Sequence, residues 1–306
     1  MEKVLEVNNL TKIYSKKNHF IAVNDLSFHL NEGEILGFLG PNGAGKTTTI
    51  QMLLGTLTPT RGKIYYFGQD LAIKRSEILK KVSFASTYLR LPATLSVYEN
   101  LDIFGRLYGL NAAQRETNIK RYLELFDMSA FRDRKVSSLS AGQMTRVMLA
   151  KAFLPEPKVV LLDEPTASLD PDICAEVRSF VIKQQERFKT SMIFTSHNMP
   201  EVEEVCDRIL VIKNGQIISD QTPEALAKSV SRSKIRFLGI DQERFAHLAE
   251  GKFNFLLHGH EIEVEIDEDQ FGWLFEMLAK NGISFSHVFI NKPSLEDYFL
   301  HMTKNR

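Results

Sequence analysis

A glycine-rich segment that ends in lysine and threonine gives this sequence its clearest chemical signal. GPNGAGKTT at residues 40–48 fits the pattern G-x-x-x-x-G-K-[ST], with Gly40, Gly45, Lys46 and Thr47 at the defined positions. Glycines let the backbone curl until its N–H groups face phosphate oxygens, and a helix that begins here adds its positive dipole end. Lys46 would pair with the β- and γ-phosphates of a nucleotide, and the Thr47 hydroxyl would bind Mg²⁺. An apolar run before the segment and a helical pattern after it favour this interpretation over a glycine turn that binds nothing.

Two acids at the end of an apolar run supply the second half of such a site. VVLLDE at residues 159–164 predicts a buried strand with Asp163 at its carboxyl end. Ligands of open α/β sheets lie at those strand ends, so Asp163 can reach the Mg²⁺ shell, through water. Glu164 is placed to accept a proton from an attacking water. Alone, such a pair is usually a solvated loop edge; together with residues 40–48 it indicates a nucleotide site.

Four further motifs are LSAGQ at 139–143, Tyr14, SLD at 168–170 and His197 after IFTS. Together with residues 40–48 and 159–164, they resemble the motifs of the ATP-binding-cassette (ABC) ATPases. LSAGQ resembles the family signature, and Tyr14 stands where the family stacks an aromatic ring on adenine. SLD at 168–170 resembles the loop that contacts the dimer partner, and His197 after IFTS resembles the switch histidine. The resemblance extends over about residues 1–220 and rests on six separated motifs.

The resemblance implies ATP and Mg²⁺ as cofactors, bound between two head-to-tail subunits. Ser140 can cap the helix that begins MTRVMLAKAF, leaving N–H groups at its start for the γ-phosphate held by the opposite subunit. The implied catalytic residues are Glu164, His197 and Asp170, and the implied Mg²⁺ ligands are Thr47 and Asp163. The implied nucleotide contacts are Tyr14, Gly40, Pro41, Asn42, Gly43, Ala44, Gly45, Lys46, Thr47, Thr48, Ser140, Ala141, Gly142 and Gln143.

Two positions depart from the family pattern. Ala141 stands where the signature usually has glycine, but a methyl group leaves the backbone N–H available. Alignment of VSFAST puts Thr87 where the family has a glutamine. A threonine hydroxyl is too short to span the same distance to Mg²⁺ and the attacking water. The sequence therefore gives Thr87 no firm place among the metal ligands or in coupling to a membrane subunit.

Strand and helix patterns alternate over the first 220 or so residues. LEVNNLTKIY and IAVNDLSFHL alternate apolar and polar residues, which indicates half-buried antiparallel strands, whereas EILGFLG and VVLLD indicate strands covered on both faces. We predict an α/β P-loop NTPase cassette with an antiparallel edge sheet and a helical subdomain at about residues 90–155. This ATPase domain is expected to span residues 1–222.

The pattern changes around TPEAL at 222–226. From Ser233 six elements run β-α-β-β-α-β, the order of the ferredoxin-like split βαβ unit, before a final helix in SLEDYFLHM. We therefore expect an accessory C-terminal α+β domain at residues 223–306. Neither the histidines of HGH at 258–260 nor the acids of EVEE at 201–204 stand out; both are expected to face solvent.

Composition narrows the class of partner. Lys plus Arg number 38 and Asp plus Glu number 38, so no global field attracts nucleic acid, and no nucleic-acid partner is expected. No window approaches the roughly 18 apolar residues of a membrane span, and the charged N-terminus is not that of a signal peptide. The two cysteines form neither a disulfide framework nor a metal signature. We expect a cytoplasmic protein, peripheral on the inner face of the cell membrane.

The predicted function is that of the ATP-hydrolysing subunit of an ABC transporter. Its partners would be integral-membrane permease subunits on separate chains and a second ATPase subunit, as a homodimer. SLEDYFLHMT resembles the ending of ATPases that serve drug, antibiotic or polysaccharide exporters, which favours export. One alternative is a soluble ABC-type ATPase acting on nucleic acid or ribosomes, although such members usually carry two cassettes or coiled-coil insertions. The other alternative is a cassette that binds ATP without hydrolysing it. The presence of all four residues Lys46, Asp163, Glu164 and His197 argues against this alternative.

Overall fold

The computed structural model describes residues 2–14, 20–86, 91–167, 169–229 and 232–304. Two positions singled out above, Thr87 and Ser168, lie outside these ranges. The chain divides into two compact units, residues 1–222 and residues 223–306. None of the helices in the described ranges combines the length and the apolar character needed to cross a membrane.

The first unit contains two sheets. The antiparallel sheet has the order β2-β1-β4-β5, and the larger sheet has the order β10-β9-β3-β8-β7-β6. In the larger sheet every neighbouring pair is parallel except β9 and β10. The strands are β1 (Lys3–Ile13), β2 (Ile21–Asn31), β3 (Ile35–Leu39), β4 (Arg61–Tyr66), β5 (Gln69–Asp70), β6 (Val82–Ser86), β7 (Val159–Asp163), β8 (Ser191–Thr195), β9 (Arg208–Lys213) and β10 (Gln216–Gln221).

Burial explains the two strand patterns in the sequence. Every residue of β3, β7 and β8 is buried, as expected of strands covered on both faces, whereas β1 and β2 alternate buried and exposed positions. The carboxyl ends of parallel strands lie at one edge of a sheet, and here Asp163 is in register with Ser86 and with Thr195. The loops that follow β3, β7 and β8 therefore meet at this edge.

Seven helices surround the sheets of the first unit in the described ranges. They are α1 (Lys46–Leu53), α2 (Leu71–Leu79), α3 (Val97–Leu107), α4 (Ala112–Leu125), α5 (Ala141–Phe153), α6 (Pro171–Phe188) and α7 (Met199–Val205). The three helices α3, α4 and α5 form the helical subdomain, and each begins with a capping box, at Ser96, Asn111 and Ser140. These capping boxes define where each of the three helices begins.

The second unit has the predicted ferredoxin-like arrangement. Its sheet has the order β12-β13-β11-β14 with every pair antiparallel, and Phe237, Phe245, Val264 and Leu274 belong to its core. Its elements are α8 (Pro223–Lys228), β11 (Ser233–Leu238), α9 (Gln242–Ala249), β12 (Asn254–His258), β13 (Glu261–Ile266), α10 (Phe271–Lys280), β14 (His287–Asn291) and α11 (Leu295–Lys304). The predicted fold class, an α/β cassette with a small α+β domain, is confirmed.

Candidate active site

The glycine-rich segment connects β3 to α1 along a path that excludes side chains at two positions. Gly45 has a φ of +106° and stands at the N-cap of α1. A Cβ atom at Gly45 would overlap the carbonyl oxygen of Ala22, and one at Gly40 would overlap the carbonyl oxygen of Ile212. Glycine at both positions therefore lets the loop fold close against its neighbours, with the first turn of α1 facing into it.

Lys46 places its ammonium group inside this loop. Its Nζ atom donates hydrogen bonds to the carbonyl oxygen of Gly40 at 2.6 Å and to that of Pro41 at 3.2 Å. Burial lowers the pKa of Lys46, while the nearby Glu164 and Asp163 carboxylates act in the opposite direction. The loop thus surrounds a cation that two acids attract.

Asp163 is a buried acid at the end of β7, with only 5% of its surface exposed. The Thr195 hydroxyl donates a 2.8 Å hydrogen bond to its Oδ1 atom. Burial raises the pKa of Asp163, and Glu164 adds to this effect, whereas the Thr195 hydrogen bond and Lys46 oppose it. Thr195 was missed in the sequence, although its place at the end of β8, in register with Asp163, is the signal that could have found it.

Glu164 and His197 form a hydrogen-bonded pair. The Nδ1 atom of His197 lies 2.7 Å from the Oε2 atom of Glu164. Glu164 has a φ of +53°, a left-handed conformation that costs a non-glycine residue about 1–2 kcal/mol. Its backbone N–H donates to the Thr195 hydroxyl at 3.0 Å. The hydrogen bond to Thr195 therefore holds Glu164 in its strained backbone conformation, in which its carboxylate contacts His197.

A pocket of about 300 Å³ brings together most of the predicted nucleotide contacts. Tyr14 lies at its edge, where its hydroxyl is 3.4 Å from that of Thr48 and its ring is stacked with Phe20 at a centroid distance of 6.4 Å. Phe20 was missed in the sequence, although it directly precedes β2, and the strand that pairs with β2, β1, ends directly before Tyr14. The pocket is lined by Tyr14, Phe20, Ala22, Asn42, Gly43, Ala44, Gly45, Lys46, Thr47, Thr48, Asp163 and Glu164.

The signature residues stand apart from this pocket. None of residues 139–143 is among the described residues that line it. The Ser140 hydroxyl accepts a hydrogen bond from the Gln143 N–H at 3.3 Å, and the Gln143 side chain accepts one from the Ser140 N–H at 3.0 Å. Helical geometry leaves the N–H groups of Ala141 and Gly142 without an intrahelical acceptor. The first turn of α5 thus offers two backbone donors, and its residues are not among those described that line the pocket.

The remaining predicted positions also have definite places. Asp170 is the N-cap residue of α6, although its side chain makes no capping hydrogen bond within the described part of the chain. Gly40 and Pro41 contact Lys46 through their carbonyl groups. The expectation that the acids at 201–204 face solvent is wrong for Glu201, which is only 2% exposed. Its polar surroundings, not its own polarity, decide its burial.

Known proteins share both this sequence and this fold. Residues 23–167 match the protein family described as ABC transporter. The uncharacterized ABC transporter ATP-binding protein YhcH of Bacillus subtilis is 32% identical over 303 residues, which cover 99% of this chain and 97% of the relative. The chain belongs to the ABC transporter family. It binds ATP with Mg²⁺ and hydrolyses ATP, as the ATP-binding subunits of this family do.

Two further comparisons extend over most of the chain. The bacitracin transport ATP-binding protein BcrA of Bacillus licheniformis is 31% identical, over 99% of this chain and 98% of its own length. A solved structure, that of the ATP binding subunit of an ABC transporter, is similar with a TM-score of 0.68 and 26% identity, over 74% of this chain and 92% of that one. These similarities favour an ATPase of the transporter type over one that acts on nucleic acid or ribosomes.

Proposed function

We propose that this ABC protein is the ATP-hydrolysing subunit of an exporter, and that Glu164 and His197 carry out the hydrolytic step. The observation that carries the proposal is the 2.7 Å pair of Glu164 and His197 beside the pocket of the phosphate loop. Glu164 accepts the proton of the attacking water, and His197 holds the γ-phosphate at the same point. A carboxylate and an imidazole so placed can act on one bond.

The residues of the pocket fit ATP and Mg²⁺. The N–H groups at the start of α1 and the Lys46 ammonium suit the phosphates, and the exposed Tyr14 ring suits the adenine. The Thr47 hydroxyl and the Asp163 carboxylate line the same pocket, and they are the oxygen donors that Mg²⁺ prefers. Bound Mg²⁺ would neutralise charge on the β- and γ-phosphates, with Asp163 contributing through water.

The second half of the site comes from a second copy of the chain. None of residues 139–143 is among the described residues that line the pocket, so we assign the signature's contact with a γ-phosphate to the partner chain. The N–H groups of Ala141 and Gly142 from the partner, beside the Ser140 cap, supply the missing donors. Asp170, at the start of α6, belongs to the same dimer contact. A homodimer therefore holds two ATP molecules.

An apolar groove of about 900 Å³ is where we place the permease. It extends from Thr47 and Asp163, at its polar end, to the helical subdomain at Leu107, which is 72% exposed. Its apolar lining residues are Ile50, Leu54, Leu79, Val82, Phe84, Phe104 and Leu107. A helix of a membrane subunit that filled this groove would cover these side chains and would contact the site at the same time. The protein would then be cytoplasmic and peripheral on the inner face of the membrane.

We infer export because one relative, the Nod factor export ATP-binding protein I of Paraburkholderia xenovorans, is 36% identical over 245 residues, or 78% of this chain. BcrA is named for bacitracin transport, and LnrL of Bacillus subtilis, 30% identical over 98% of this chain, for linearmycin resistance. Inside-out vesicles that contain this chain and its co-encoded permease are expected to accumulate bacitracin, used as the first probe, when ATP·Mg²⁺ is added. If the rate of phosphate release is no higher with the permease than without it, the assignment as a transporter subunit would be contradicted. Uptake that occurs only in right-side-out vesicles would indicate import instead of export.

A further inference from the structure

A buried carboxylate accepts hydrogen bonds from the two loops that carry Glu164 and His197, and the hydrolytic step described above does not use it. Glu201 is in the first turn of α7 and only 2% of its surface is exposed. A buried charge is costly unless hydrogen bonds and an opposite charge surround it. The partners of Glu201 therefore show what its burial achieves.

Two hydroxyl groups donate to the same oxygen of Glu201. The Thr166 hydroxyl donates to Oε2 at 2.7 Å, and the Ser196 hydroxyl donates to Oε2 at 2.9 Å. Both donors are buried, with 6% of Thr166 and 2% of Ser196 exposed. The other carboxylate oxygen, Oε1, lies 3.6 Å from Nη1 of Arg178, which also pairs with Glu204 at 2.6 Å. One carboxylate thus has two short hydrogen bonds and one cation.

The two donors belong to the two loops that carry the hydrolytic pair. Thr166 follows Glu164 by two residues in the loop after β7, and Ser196 directly precedes His197 in the loop after β8. The Asn198 N–H donates to the Ser196 hydroxyl at 3.0 Å, so the second loop is held on both sides of His197. Hydrogen bonds to a charged acceptor are roughly twice as strong as neutral ones. Glu201 therefore connects the two loops directly beside Glu164 and His197.

We propose that Glu201 is a positioning residue that keeps Glu164 and His197 within hydrogen-bond distance of each other, an inference that rests on the proposed function. The Thr195 hydroxyl, by comparison, connects Asp163 and the Glu164 backbone at the strand ends. Glu201 makes the corresponding connection beyond the strand ends, between the loops after β7 and β8. Removal of its carboxylate frees Thr166 and Ser196 and lets the loops separate.

Glu201→Ala in the full-length chain tests this role by steady-state hydrolysis of ATP·Mg²⁺. We expect kcat to fall about ten- to a hundredfold, since a misplacement of about 1 Å can cost on the order of 10²-fold, while KM for ATP stays within about twofold. Glu203→Ala is the matched control, because Glu203 is exposed on the same helix, and it should leave both constants unchanged. Glu201→Gln retains one oxygen acceptor for the hydroxyls and is expected to restore most of kcat.

A double variant separates positioning from stability. If Glu201 acts through Glu164, then Glu201→Ala adds no further loss to Glu164→Gln, measured by single-turnover hydrolysis. Losses that multiply overturn the positioning role alone and leave the proposed function intact. If the Glu164→Gln variant hydrolyses ATP at the parental rate, both the proposed function and this inference are wrong.

A second route covers a Glu201→Ala chain that fails to fold. Thr166→Val combined with Ser196→Ala removes both donors and keeps Glu201 beside Arg178. This variant should show the same fall in kcat at unchanged KM, with a circular dichroism spectrum like that of the parent. A lower melting temperature with an unchanged kcat would mean that the hydrogen bonds only stabilise the fold, and it would overturn the inference.

Discussion

The imidazole of His197 and the carboxylate of Glu164 are joined by a 2.7 Å contact between Nδ1 and Oε2. The exposure of the two side chains differs, with 78% of the His197 side chain but only 15% of the Glu164 side chain accessible. The carboxylate is thus shielded and oriented, while the imidazole is open to solvent. An arrangement of this kind gives the base a fixed partner and leaves the histidine free to meet a phosphate.

Replacement of Glu164 by Gln should separate hydrolysis from binding. The amide has nearly the same shape but accepts no proton, so we expect the hydrolysis rate to fall by about 10²–10⁴ while ATP affinity is kept. The variant should then collect as an ATP-bound dimer, which a sizing column run with ATP·Mg²⁺ detects. A parental rate of phosphate release would mean that another group is the base.

Replacement of Lys46 by Ala should act on binding. A hydrogen bond from a charged donor is worth about 1.5–3 kcal/mol, so we expect ATP affinity to fall about ten- to a hundredfold or more. Calorimetry measures the affinity, and circular dichroism checks that the fold persists. Lys63→Ala, which removes an exposed lysine of β4, is the control and should bind ATP as the parent does. Equal affinities in the two variants would contradict the phosphate contact.

The buried Lys151 should make stability depend on pH. Burial lowers the pKa of Lys151 to about 8, and its ammonium group lies 5.0 Å from the centre of the Phe104 ring. Its pKa is about 10.4 in the unfolded chain, so the unfolded state binds the proton more tightly. The free energy of unfolding therefore rises as the pH increases from about 8 to about 10.4.

Lys151→Met removes this dependence because methionine has a similar shape and no charge. We expect the variant to be more stable than the parent at pH 7, by about 3 kcal/mol at most for a shift of this size. The difference should shrink at pH 9.5, as urea unfolding at the two pH values can show. A difference that grows with pH would mean that the ammonium group stabilises the fold.

The parts of the fold that the sequence predicted are those in which local pattern and burial agree. The apolar run of β7 is buried at all five positions, and α6 begins at Pro171, where the helical spacing of apolar residues in PDICAEVRSFVIKQQERF begins. The helix α2 was not predicted, because only Leu71 and Ile78 of its nine residues are buried and its periodicity is weak. In the C-terminal unit the sequence predicts a strand over SFSHVFI, from Ser284, whereas β14 begins three residues later at His287.

The connections between loops could not be read from the sequence. Thr195 and Asp163 are 32 residues apart and meet only because β7 and β8 are neighbours in the sheet. Glu201 was expected to face solvent because it lies in an acidic run, yet hydroxyl groups 5 and 35 residues away surround it. Motifs identify the residues of the site, whereas the contacts that hold them depend on strand order.

A charge in the apolar groove should separate ATP hydrolysis from transport. Leu107→Glu places a carboxylate on a side chain that is 72% exposed, so the fold should tolerate it. The isolated chain should hydrolyse ATP at the parental rate, but it should no longer co-purify with the co-encoded permease. Ile73→Glu is the control, because Ile73 is 77% exposed on α2 and does not line the groove. If the Leu107→Glu variant co-purifies with the permease as the parent does, the permease binds a different surface.

Ser140→Arg should show whether the signature acts on the ATP of the same chain or of its partner. None of residues 139–143 is among the described residues that line the pocket of the phosphate loop. The variant chain should therefore still bind ATP. It should not form the ATP-bound dimer, because both composite sites then carry a bulky cation at the start of α5. Ser140→Ala is the control, since it removes the cap at a cost of about 1 kcal/mol and adds no bulk or charge.

Mixing the Ser140→Arg chain with the Lys46→Ala chain makes the test complete. In a heterodimer, the intact phosphate loop of the Ser140→Arg chain faces the intact signature of the other chain, which gives one normal site. The second site combines both defects. Partial phosphate release by the mixture, absent from either variant alone, is therefore expected. If Ser140→Arg abolishes ATP binding in the isolated chain, measured by calorimetry below the dimerisation concentration, the signature acts on its own chain's nucleotide and the two-chain site is wrong.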